Sequence, residues 1–77
     1  MEKITDELIR IAAKHFEVDA ASLSPSTDFF EHLNINSFQA LNLLSAVEQH
    51  FDVEIPDYEV QGVTTFTQLA ELIDERV

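Results

Sequence analysis

A chain of 77 residues with no cysteine and 45% apolar residues reads as one small domain, residues 1–77, burying about 60% of its unfolded surface. With neither a disulfide framework nor a thiolate metal site available, a reducing cytoplasm is the expected compartment; no apolar run approaches membrane-spanning length, so no membrane insertion is expected. The net charge of −11 sets 15 acidic against 4 basic residues, and no Lys or Arg lies between Glu17 and Glu75, which excludes nucleic acid held by phosphate neutralisation.

The first helix is expected from Glu2 to about His15. Ile4, Leu8, Ile11, Ala12 and His15 or Phe16 keep helical spacing on one face, and Arg10 and Lys14 suit its negative end. The stretch from Glu17 to Asn36 lacks strong periodicity and holds Pro25 within a Ser-Pro-Ser-Thr-Asp turn cluster. Short helical turns are expected after Asp19 and after Thr27. Loops of this length inside small domains usually have a function, and Val18, Leu23, Phe29, Phe30, Leu33 and Ile35 should pin this one to the core.

A second helix is expected from Ser37 to about Phe51, with Ala40, Leu43, Leu44, Val47 and Phe51 as its buried stripe. Gln39, Asn42, Ser45 and Gln49 lie opposite. Phe38 falls with that polar set, so a large apolar side chain is predicted on the surface beside Ser37. Pro56 biases Ile55 away from helix, making Asp52 to Pro56 an extended connection with Val53 and Ile55 inward. Asp57 to Gln61 suits a short third helix, N-capped by Asp57 and stopped by Gly62. The last helix should start at Thr65 with a capping box to Gln68, and Phe66, Leu69, Leu72, Ile73 and Val77 form its apolar face. The sum is an all-α, small four-helix bundle: three longer helices, one short third helix and a long first loop. Period-two alternation and hairpin dipeptides are lacking, which argues against a β fold.

Chemistry concentrates at Ser37, where the loop ends and an apolar-faced helix begins. Backbone N–H groups and a positive dipole end converge there, a setting suited to a phosphate. A catalytic serine needs a base in reach, and His15, His32 and His50 are the candidates. His50 lies about three and a half turns along the same helix. His32 is geometrically open, but no glycine-rich elbow supplies an oxyanion hole, so self-contained hydrolysis is not expected. The plain structural alternative is an N-cap, with the Ser37 hydroxyl accepting from Gln39 or Ala40 N–H. An exposed Phe38 beside it is better explained by a docking anchor next to a modification site. Asp52, Glu54, Asp57 and Glu59 lack the spacing of a calcium loop and the histidines share no ligand spacing, so no metal site is expected.

Four segments together carry a resemblance. Phe30-x-x-Leu33-x-x-Asn36-Ser37-Phe38, Leu41-x-Leu43-Leu44, Glu48-x-x-Phe51-x-Val53-x-Ile55-Pro56-Asp57 and Thr65-Phe66-x-x-Leu69-x-x-Leu72-Ile73 resemble the acyl carrier proteins nearly end to end. The family's Leu-Gly-x-Asp-Ser-Leu signature reads here Leu33-Asn34-Ile35-Asn36-Ser37-Phe38. The resemblance implies a carrier and not an enzyme. Ser37 would receive 4′-phosphopantetheine from coenzyme A through a separate, Mg²⁺-using phosphopantetheinyl transferase. The arm's thiol would carry acyl thioesters among acyl-transferring or condensing enzymes of fatty acid, lipid or polyketide-like biosynthesis. An attached chain could retreat between helices lined by Ala40, Leu44, Val47, Phe51 and Leu72.

Two departures bear on partners. Asn36 replaces the family's aspartate and Asn34 its glycine, asparagine being tolerant of a left-handed backbone. Gln39, Asn42 and Gln49 stand where the family is usually acidic, leaving mainly Glu48 and Asp52. Recognition is expected to run through Asn36, Phe38, Gln39, Asn42 and Glu48, toward partners with basic or apolar docking patches, in a pathway narrower than general fatty acid synthesis. A chain starting at Met1 and ending just after its last helix is expected to be a stand-alone carrier of a dissociated system, with a domain cut from a larger synthase as the alternative. A monomer is expected. The alternative is an interaction module that kept the carrier fold without the prosthetic group, with Phe38 as its anchor. An acidic decoy for DNA-binding proteins accounts for the charge and leaves the serine unexplained.

Overall fold

Three runs of helical apolar spacing fold into three long helices, and short turns join them. The computed structural model describes residues 1–77: α1 spans Glu2–Phe16, α2 Phe29–Leu33, α3 Ser37–Phe51, α4 Asp57–Val60 and α5 Phe66–Asp74, with a 3-10 turn at Ala20–Ser22. The bundle is all-α, as expected. The first loop is the more structured part: Asp19 caps the 3-10 turn through Ala21 N–H, and Asp28 caps α2 through the N–H groups of Phe30 and Glu31.

The α1 face is rotated from the expected one. Thr5, Leu8, Ile9, Ala12 and Ala13 are buried, Ile4, Ile11 and Phe16 are half-buried, and His15 is exposed. Packing against both α3 and α5 explains this, because a helix between two neighbours buries a broader stripe than one neighbour would require. The centre of the core is Leu8, Ala12, Val47, Phe66, Ala70 and Ile73, all at most 1% exposed. On α3 only Leu43, Leu44 and Val47 are buried; Ala40 and Phe51 are half-buried.

The first loop is held rather than free. Leu23 and Phe29 are core residues, and Phe29 meets Phe66 edge-on at 5.5 Å between ring centres. Phe29 N–H donates to Thr64 O at 2.9 Å, while Thr67 donates from both its N–H and its hydroxyl to Pro25 O at 3.0 Å. The start of α2 is thereby laced to the start of α5. Val18 was expected inward and is exposed.

Caps account for the remaining differences. Asn36, not Ser37, is the N-cap of α3. Pro56 occupies the N-cap of α4 without a side-chain bond, and Asp57 is the first helical residue, where its charge complements the dipole. The helix ends at Val60, short of Gln61, and Gly62 turns the chain at φ 84°. Thr65 and Gln68 form the expected capping box of α5. Val77 lies beyond that helix and is exposed. Glu17, Asn34 and Asp52 end α1, α2 and α3 in the left-handed region, at φ 57°, 52° and 56°.

Candidate functional site

The site is built where α2 hands the chain to α3. Asn34 ends α2 in a left-handed turn, and Asn36 takes up extended backbone at φ −98°, ψ 177°. Asn36 Oδ1 accepts from Gln39 N–H at 2.9 Å, and Gln39 Oε1 accepts from Asn36 N–H at 3.0 Å. This reciprocal pair fixes the mouth of α3. Because Asn36 supplies the cap, the hydroxyl of exposed Ser37 is not spent on it. Ala40 N–H bonds Asn36 O at 3.0 Å. The N–H groups of Ser37 and Phe38 are then the two left open at the positive end of a 15-residue helix.

Ser37 also lies on the rim of a cleft of about 410 Å³. Ala40, Leu41, Leu43 and Leu44 of α3 form one wall, Phe29 and Phe30 of α2 another, and Asp57, Val60 and the Gln61–Thr64 turn the third, with Leu69 of α5 behind them. Most of this lining is apolar. The donor set and the space suit a phosphodiester at Ser37 with an apolar-walled recess beside it: open amides for the anion, and Asp57 of α4 as the one charged residue of the lining.

The residues expected to line an acyl path divide. Ala40 and Leu44 line the cleft. Val47, Phe51 and Leu72 do not: Val47 is wholly buried in the core, and Phe51 and Leu72 pack against that core as half-buried side chains. A helical stripe has two edges. The Ala40–Leu44 edge meets the recess, and the other meets the packed interior.

The residues expected to read partners divide as well. Phe38 is 71% exposed and Asn42 is exposed. Asn36 and Gln39 are exposed with their side chains occupied in the capping box. Glu48 is half-buried and accepts from Ile55 N–H at 2.8 Å, holding the extended segment against α3. Leu41, half exposed and on the cleft wall, was passed over; its place one helical turn after Phe38 was the available signal. Val60 and Val63 were also missed, because nothing local says that the turn after α4 folds back over α3.

No helix is long and apolar enough to cross a membrane. The family model described as the phosphopantetheine attachment site matches residues 6–73. Acyl carrier proteins of Picosynechococcus sp. and Thermosynechococcus vestitus are each 32% identical to this chain over 75 residues, covering 97% of it and 93% of each relative. The chain therefore belongs to the acyl carrier protein family, whose members are carriers rather than enzymes and hold 4′-phosphopantetheine covalently.

Proposed function

We propose that Ser37 is the attachment point, and that the loaded protein shuttles acyl groups for fatty acid, lipid or polyketide-like biosynthesis as a cytoplasmic monomer. The observation that carries this reading is the Asn36 cap, which leaves an exposed serine hydroxyl at the mouth of α3 beside an apolar cleft. Loading from coenzyme A forms a bond from Ser37 Oγ to phosphorus, breaks the pyrophosphate link so that the nucleotide half leaves, and releases the serine proton. A transferase supplies the base for that step, so the carrier needs none of its own.

When bound, the group supplies a thiol on a flexible arm, which holds acyl chains as thioesters. The chain's own residues set the arm's root. The open N–H groups of Ser37 and Phe38 and the α3 dipole favour an anion there, and Ala40 and Leu44 offer an apolar wall next to it.

The test is intact-mass measurement after incubation with coenzyme A, Mg²⁺ and a broad-specificity phosphopantetheinyl transferase. The natural chain gains one phosphopantetheine and Ser37→Ala gains none. No adduct on the natural chain, or the same adduct on Ser37→Ala, removes the assignment. Ser37→Ala is a sound control because its hydroxyl takes no part in the cap: its unfolding free energy stays within about 0.5 kcal/mol of the natural chain.

A further inference from the structure

The walls of the cleft beside Ser37 are not held equally. The α2 wall is fixed by Phe29 and the α3 wall by Leu43 and Leu44, all buried in the core. The third wall, α4 with the turn after it, has no such anchor. Ile55 and Phe66 are buried, at 4% and 0% exposure, and no residue between them is. Val60 and Val63 pack against the core only as half-buried side chains. The helix itself has no side-chain cap.

From Pro56 to Val63, one hydrogen bond leaves the stretch for another element: the pair between Glu59 and Arg76. The guanidinium is itself held, donating from Nε to Glu54 O and from Nη1 to Leu72 O, and these two bonds aim its Nη2 at Glu59. The two side chains are 21% and 24% exposed, a sheltered setting in which an ion pair counts for more than on an open surface. No second cation can take over. Lys3, Arg10 and Lys14 all lie on α1, and from residue 54 to the end of the chain every other charged side chain is a carboxylate.

An apolar chain entering the cleft would have Ala40 and Leu44 on one side and Val60 and Val63 on the other. Sheltering its methylenes needs both sides, since the gain comes from area removed from water. We infer that Arg76 is a positioning residue for the cargo: paired with Glu59, it holds the Val60–Val63 wall that shelters an apolar acyl chain attached through Ser37. This deepens the assignment of Ser37 and rests on it.

The experiment loads the whole chain from acetyl- or octanoyl-coenzyme A with a broad-specificity phosphopantetheinyl transferase, checks each product by intact mass and compares melting temperatures. In the natural chain the octanoyl form melts above the acetyl form, because only the longer chain buries much apolar area and cargo held by the folded state alone stabilises it. Arg76→Gln lowers both temperatures and narrows the difference between them to about half or less. An arginine with a purely structural role would lower both forms alike and leave the difference intact. Lys14→Gln removes the same charge from a residue that makes no ion pair, and it keeps the full difference. Should Arg76→Gln not fold, Glu59→Ala, which spares both carbonyl bonds of Arg76, shows the same narrowing. If octanoyl adds no stability to the natural chain, or the full difference persists in the folded variant, the inference is wrong and the Ser37 assignment survives. If the natural chain does not load, the assignment falls and this inference falls with it.

Discussion

Asparagine at position 36 keeps the geometry of the α3 mouth while removing a charge from it. Its carboxamide oxygen accepts from Gln39 N–H as a carboxylate oxygen would, and Gln39 returns the bond. Replacing Asn36 with alanine removes the acceptor and leaves Gln39 N–H without its partner, at a cost of about 1 kcal/mol in unfolding free energy. Asn36→Asp keeps the acceptor and puts a negative charge at the helix's positive end, so its stability matches or slightly exceeds that of the natural chain. Urea unfolding of the two variants checks both statements, and an Asn36→Ala protein as stable as the natural one would show that the cap does not hold the helix mouth. Position 36 and position 37 are both good capping residues by type, so composition alone left the choice between them open. The extended backbone at Asn36 decided it, and that backbone follows from how α2 ends at Asn34.

The short helix α4 depends on a side chain from the end of the chain. A four-residue helix has no stability of its own. Arg76, the one basic residue outside α1, donates from Nε to Glu54 O at 3.0 Å and from Nη1 to Leu72 O at 2.9 Å, and its Nη2 pairs with the Glu59 carboxylate. One guanidinium thus satisfies an end carbonyl of α5 and ties α4 and the extended segment to it. Since Asp57 and Val60 of α4 form part of the cleft wall, Arg76 holds that wall in place from behind. Arg76→Gln is expected to cost about 1–2 kcal/mol in unfolding free energy. It should speed hydrogen exchange at the α4 amides more than at α1, which native-state exchange reads directly. Uniform acceleration across both helices would mean that Arg76 contributes to global stability without holding α4 in particular.

Over the whole chain, 15 acidic residues face four basic ones, and three of those four, Lys3, Arg10 and Lys14, sit on α1. Like-charge repulsion therefore works against a core built from few buried residues. Screening it with NaCl or Mg²⁺ raises the melting temperature, by about 4–8 °C for each kcal/mol of repulsion removed in a domain of this size. A melting temperature indifferent to ionic strength would show that repulsion does not limit stability. The side-chain contact between α1 and α3, a hydrogen bond between His50 Nε2 and Glu7 Oε2 at 3.2 Å, is solvent-exposed and does not offset that balance.

Much of this protein was readable before its coordinates. The three long helices, the Thr65–Gln68 box, the position of Ser37 at a helix mouth and the surface placement of Phe38 all come from spacing within one turn or two, which neighbouring segments do not alter. Tertiary packing settled matters of another kind. It turned α1 so that Ile9 and Ala13 face inward, sent Val47 into the core while Ala40 and Leu44 met a recess, and folded the turn after α4 over α3 to close that recess. A helical stripe records which side chains avoid water. It does not record which of its two edges will find a packed neighbour and which will find space, because that depends on residues far away in the chain.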